Sequence, residues 1–107
     1  MASCNAGHGC SITCHNGCLA IYYLPNGPCK TACSNSLDEV EIAEGVSFSI
    51  SVNDLPPHDA ARIFRKVLGE KRSHSLATLT APLSIQLADA KLADVREAIE
   101  KHMQLGK

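Results

Sequence analysis

All six cysteines of this 107-residue chain fall between Cys4 and Cys33, in the stretch CNAGHGCSITCHNGCLAIYYLPNGPCKTAC. Two of the five histidines, His8 and His15, lie among them. No other feature restricts the fold as much. Six clustered thiols end in one of a few chemical states, and a metal, a set of disulfides or a redox centre each ties the backbone together at sulfur. The spacing is Cys4-x5-Cys10-x3-Cys14-x3-Cys18-x10-Cys29-x3-Cys33.

Structural zinc is the first reading. Zinc takes four Cys or His ligands in a tetrahedron, commonly as two close pairs joined by a turn or hairpin. Cys14/Cys18 and Cys29/Cys33 make two such pairs. Between them Leu19 to Leu24 reads as a short strand, and the following Pro25-Asn26-Gly27-Pro28 reads as a turn. The expected ligands are therefore drawn from Cys10, Cys14, Cys18, Cys29 and Cys33, with His15 or His8 as a substitute. An iron–sulfur cluster is the second reading, since Gly-rich backbone around thiolates suits one. Its usual spacings are not matched. Three disulfides are the third reading, with fifteen possible pairings. They would staple a segment that has few large apolar side chains. Covalent haem is disfavoured because Cys10-x3-Cys14-His15 is one residue longer than C-x-x-C-H. Six buried but inert cysteines would need a core that the glycines and polar residues around them do not offer.

The composition changes at Ser34–Leu37. All eleven acidic residues follow it, as do nine of the ten basic ones, so Lys30 is the one formal charge among the first 36 residues. The boundary divides the chain into a Cys/His-rich module, 1–36, and a domain, 37–107. In the latter, Val46, Phe48, Ile50 and Val52 alternate with serines, which predicts a strand with one buried face. Val40 and Ile42 alternate with glutamates in the same way, and Glu44-Gly45 offers a hairpin turn between the two or a bulge in one long strand. Ala60, Ile63, Phe64, Val67 and Leu68 fall at helical spacing, with Asp54 as the expected N-cap and Gly69 as the stop. A polar link follows, with a short strand expected at Leu76–Leu79. Leu83, Ile85 and Leu87 predict another strand. Asp89 is the expected cap of a last helix with the stripe Leu92, Val95, Ile99 and Met103, and Gly106 is its expected end.

The two strand–helix units align when shifted by 35 residues: Ser49-Ile50 falls on Ser84-Ile85, Asp54 on Asp89, Phe64 on Ile99 and Lys66 on Lys101. Any two βα units share some of this pattern; an internal duplication is the sharper reading. The expected fold class is α+β: a small ferredoxin-like two-layer sandwich, two βα units plus an extra strand or hairpin, carrying an N-terminal Cys-rich metal-binding module.

The formal net charge of −1 gives no general attraction to nucleic acid or an anionic membrane. No apolar run nears the roughly 20 residues of a membrane helix. The opening MASCNAGHGC lacks the basic and apolar regions of a secretory signal, so the expectation is a cytoplasmic location, where thiols stay reduced. Neither Cys14 beside His15 nor Cys10 near His8 amounts to a catalytic arrangement, because no third group or pocket is marked. His58, His74 and His102 read as surface residues. The expected function is that of a small zinc protein, probed by a protein partner through the module or the sheet. The alternatives are an iron–sulfur or thiol-redox protein that handles electrons or metal, and a secreted, disulfide-stapled recognition protein.

Overall fold

Strand β3, Cys18–Tyr23, has two different environments on its two sides. Leu19 and Ile21 enter a core shared with helices, while Cys18 and Ala20 enter a second core shared with cysteines and small residues. The computed structural model describes residues 1–36 and 40–105. Before β3 come β1, Ala2–Asn5, and β2, Ser11–Cys14. After it come β4, Cys29–Cys33, and β5, Phe48–Leu55. Helices α1, Pro57–Ile63, α2, Arg65–Leu68, and α3, Glu70–Ala77, precede β6, Leu83–Ala90, and α4, Leu92–Leu105.

These elements make an α+β fold with two sheets. The larger has the order β4-β3-β5-β6 and is antiparallel throughout. All four helices send residues into the core on one of its sides: Ala60 and Ile63 from α1, Val67 from α2, Leu76 from α3, Val95 and Ile99 from α4. They meet Leu19, Ile21, Phe48, Ile50, Val52, Leu83 and Ile85 there. The smaller sheet is the antiparallel hairpin β1–β2, which lies against β3, β4 and β5 on the other side. Hydrogen-bonded pairing therefore crosses the compositional boundary, since β3 from the Cys-rich segment pairs with β5 from Cys18↔Asn53 to Tyr23↔Phe48.

This arrangement corrects the expectation that β5 buries one face. Ser49 and Ser51 are 7% and 5% exposed, nearly as buried as the apolar residues between them, because the hairpin covers their side. Small hydroxyl side chains fit under a close-packed second layer where Val or Leu would not.

The alignment at 35 residues extends into geometry. β5 and β6 have the same length, and their limits differ by 35 at both ends. Their register is symmetric under the shift: Phe48↔Ala90 maps onto Leu55↔Leu83, Ile50↔Leu87 onto Val52↔Ile85, and Ser51↔Gln86 onto itself. Each strand also carries a matching irregularity, and Asp54 and Asp89 have φ of 53° and 49°. They are not helix caps, which corrects the sequence expectation. An extra residue in the left-handed region bulges the strand and changes which side the next residue faces. Leu55 and Ala90 reach the helix core that way.

The helices differ more. α1 begins with Pro57 in its first turn and has no side-chain cap. At α4 the Lys91 N–H donates to Asp94 Oδ2 at 2.9 Å, a cap supplied from inside the first turn. The chain breaks between α1 and α2 at Phe64, where α4 runs on through its counterpart Ile99. Gly69, with φ of 83°, ends α2 as expected, but α3 follows at once where a polar link and short strand were expected. Ser73 and Leu76, on one side of α3, are buried, which explains a helix in a stretch of low hydropathy. Residues 40–43 are irregular rather than a strand. Glu39 and Gly106, which entered the sequence reading, lie outside the described residues.

The left-handed aspartates give a paired prediction. Asp54→Val and Asp89→Val should each lower stability by about 1–2 kcal/mol, since a β-branched residue tolerates this backbone poorly. Asp→Gly at the same positions should cost less than Asp→Val. Urea midpoints at constant slope will measure both.

Candidate functional site

The six cysteines form three disulfides, Cys4–Cys18, Cys10–Cys29 and Cys14–Cys33. No free thiol remains. The Cα–Cα separations are 6.0, 5.6 and 5.6 Å, within the range that a bridge needs. In chain order the first cysteine joins the fourth, the second the fifth and the third the sixth, so every bridge crosses the other two. Two bridges tie the hairpin strands to the large sheet, β1 to β3 through Cys4 and β2 to β4 through Cys14. The third ties the β1–β2 loop, at Cys10, to the start of β4.

Strand geometry explains the pairing. Cys29 and Cys33 are four apart in β4 and so share a side. Their register partners Tyr22 and Cys18 share that side of β3. Cys4 alternates with exposed residues in β1 and faces Cys18. Cys4, Cys10, Cys14 and Cys18 pack among Ala2, Ala6 and Ala20, with Ile12, Tyr22 and Cys33 at the margin, while Cys29 is exposed. Cystine does the work here that leucine does on the helix side. Gly17 lets the chain enter β3 close to the end of β5, where a Cβ would lie 2.5 Å from the Asp54 carbonyl oxygen.

Zinc and an iron–sulfur cluster are both overturned by this arrangement. Either needs thiolates, and five of the six expected ligands are oxidised: Cys10 is joined to Cys29, Cys14 to Cys33, and Cys18 to Cys4. The sixth, His15, is exposed on the turn between β2 and β3. His8 stacks its ring on Tyr22, centroids 4.5 Å apart and planes within 13°. Among the described residues no three His, Cys, Asp or Glu side chains are grouped so as to hold a metal ion. The expected hairpin between the CxxxC pairs does form, but it aligns sulfurs for each other and for the β1–β2 layer. The cytoplasmic expectation is corrected as well, because structural disulfides fit an oxidising, extracellular setting better. No helix among the described residues is long and apolar enough to cross a membrane.

A groove that no sequence pattern signals lies on the helix side of the sheet. It encloses about 500 Å³. Its walls come from Tyr23, Pro28 and Lys30 of the β3–β4 hairpin, Glu41 to Ala43 of the segment before β5, Lys66 and Val67 of α2, and Leu92 of α4. The Tyr23 hydroxyl donates to the Glu41 carbonyl oxygen at 2.7 Å and holds that segment across the hairpin. Burial, and secondarily the Glu41 carboxylate, push the Tyr23 phenol above its ordinary value, so it remains a donor through neutral and mildly basic pH. Lys66 Nζ lies 3.1 Å from Glu41 Oε1 in an exposed ion pair.

Comparison with protein-family models, curated proteins and solved structures finds no match to this chain.

The three bridges close loops of similar length, with separations of 14, 19 and 19 residues. Chain entropy then predicts that replacing any one pair with alanines costs a similar amount, about 3 kcal/mol. Denaturant unfolding of the three double variants will test this. A zinc site would instead make loss of Cys14 far more damaging than loss of Cys4.

Proposed function

We propose that this protein is a disulfide-stapled recognition protein of an oxidising compartment, which acts by binding at its surface. The observation that carries this reading is the complete, mutually crossed pairing of all six cysteines. Crossed bridges lock the β1–β2 layer onto the large sheet where aliphatic packing is too sparse to hold it. Such a layer presents a rigid surface, and rigidity lowers the entropic cost of association. The large sheet offers two further surfaces, the edge strands β4 and β6.

The ferredoxin-like description belongs to this reading only for part of the chain. Helices on one side of an antiparallel sheet support it, but β5 and β6 are direct antiparallel neighbours, where a split βαβ unit has parallel strands with another strand between them. The first four strands, arranged as two consecutive hairpins, have no counterpart in that pattern.

The experiment is a mass measurement of denatured, unreduced protein with thiol titration. Three disulfides predict a mass six hydrogens below the reduced chain, no reactive thiol, and unfolding that ignores chelators but shifts on reduction. Peptide mapping without reduction should return the linkages Cys4–Cys18, Cys10–Cys29 and Cys14–Cys33. Six titratable thiols in protein recovered from an oxidising compartment would overturn the reading.

A further inference from the structure

The groove at Tyr23, Lys30, Ile42, Lys66 and Leu92 has a feature that core packing does not explain. Side chains alternate along β4, so Ala32 points to the helix core and Lys30 takes the same side, opposite Ile21. The single formal charge of the Cys-rich segment therefore overhangs the apolar side of the sheet, at the mouth of a groove. Lys66 stands on another wall. The groove's lining carries two ammonium groups and one carboxylate, Glu41, which leaves one positive charge over apolar surface from Pro28, Ile42, Ala43, Val67 and Leu92. The Lys66–Glu41 pair is more than half exposed on both partners, and such pairs contribute little, so Lys66 is free to turn toward a ligand. The volume lies within the range of small-molecule sites, which combine apolar walls with a few placed polar groups.

We propose that this groove binds a small amphipathic monoanion, an aliphatic carboxylate whose chain lies along Ile42, Val67 and Leu92 and whose head group meets Lys30 and Lys66. Charge and shape both select it. One negative charge neutralises the lining, and an apolar tail covers surface that is otherwise wet. The segment from Glu41 to Ala43, held by the Tyr23 hydroxyl, forms the wall that confines the tail. This extends the recognition reading by naming the ligand class of one surface, and rests on it in that the stapled β3–β4 hairpin holds Lys30 in place.

The test is an amide NMR titration of the oxidised full chain with sodium octanoate and, separately, with octylammonium chloride. Octanoate should give saturable shifts at Lys30, Ile42, Lys66 and Leu92, and octylammonium should not. Lys30→Glu should weaken octanoate binding about tenfold, and Lys30→Arg should preserve it, since the effect is one of charge. Ile42→Asp should abolish binding through the tail. No saturable shift at the groove, equal response to both amphiphiles, or unchanged affinity in Lys30→Glu would each overturn the proposal. A lysine on an edge strand also guards against edge-to-edge pairing. If Lys30→Glu self-associates while binding octanoate as before, that role replaces the one proposed. Thiol titration of each sample keeps the two readings apart, since free thiols would refute the disulfide reading whatever octanoate does.

Discussion

Strand β3 is the part on which the rest depends, because it is hydrogen-bonded on both edges and buried on both sides. β4 and β5 pair with its edges, the helix core takes Leu19 and Ile21, and the cystine core takes Cys18 and Ala20. The two cores obey different chemistry. On the helix side, large aliphatic and aromatic side chains leave water and pack, a gain of about 25 cal/mol per Å² of apolar surface. On the hairpin side the buried residues are alanine, serine and cystine, which bury little area, with Ile12 and Tyr22 only partly covered. The bridges stabilise that side by restricting the unfolded chain. A short N-terminal hairpin with such modest apolar content gains much of its hold from being covalently tied to a sheet that the helix core already fixes.

The two similar βα units build the remainder of the large sheet around a local twofold that passes between Ser51 and Gln86. Repeating a bulge at Asp54 and Asp89 places Leu55 and Ala90 in the helix core at equivalent points. The copies diverge where they meet different neighbours. α4 continues through Ile99, while the first unit breaks at Phe64 and turns into α2 and α3. That break brings Lys66 and Val67 to the sheet margin beside the β3–β4 hairpin, and so shapes the groove. A packing difference between two otherwise similar units thus creates the concave surface on which a small ligand is proposed to sit.

Much of the secondary structure was legible in the sequence, for local reasons. Alternation along Phe48–Val52 and Leu83–Leu87, the hairpin around Pro25–Pro28, and the stripe from Leu92 to Ile99 are short-range patterns, and each corresponds to an element. Readings failed where a distant neighbour decided. Ser49 and Ser51 resembled a solvent face and are covered by the hairpin. Asp54 and Asp89 resembled caps and are bulge residues. The stretch after Gly69 resembled a link and is a helix, because Ser73 and Leu76 are buried.

The sequence by itself determined that the N-terminal 36 residues depend on sulfur, that two similar βα units follow, and that Lys30 stands alone as a charged side chain among those 36 residues. The redox state and partners of the sulfurs were decided only by the tertiary structure. Spacing along a chain restricts metal and disulfide alike, since both bring cysteines together. What separates them is whether the sulfurs converge on one point or meet in pairs, and that depends on which strands lie over one another. Here β1 and β2 lie across β3 and β4, so the sulfurs meet two by two. The groove too belongs to tertiary structure alone, because its walls come from segments as far apart as Tyr23 and Leu92.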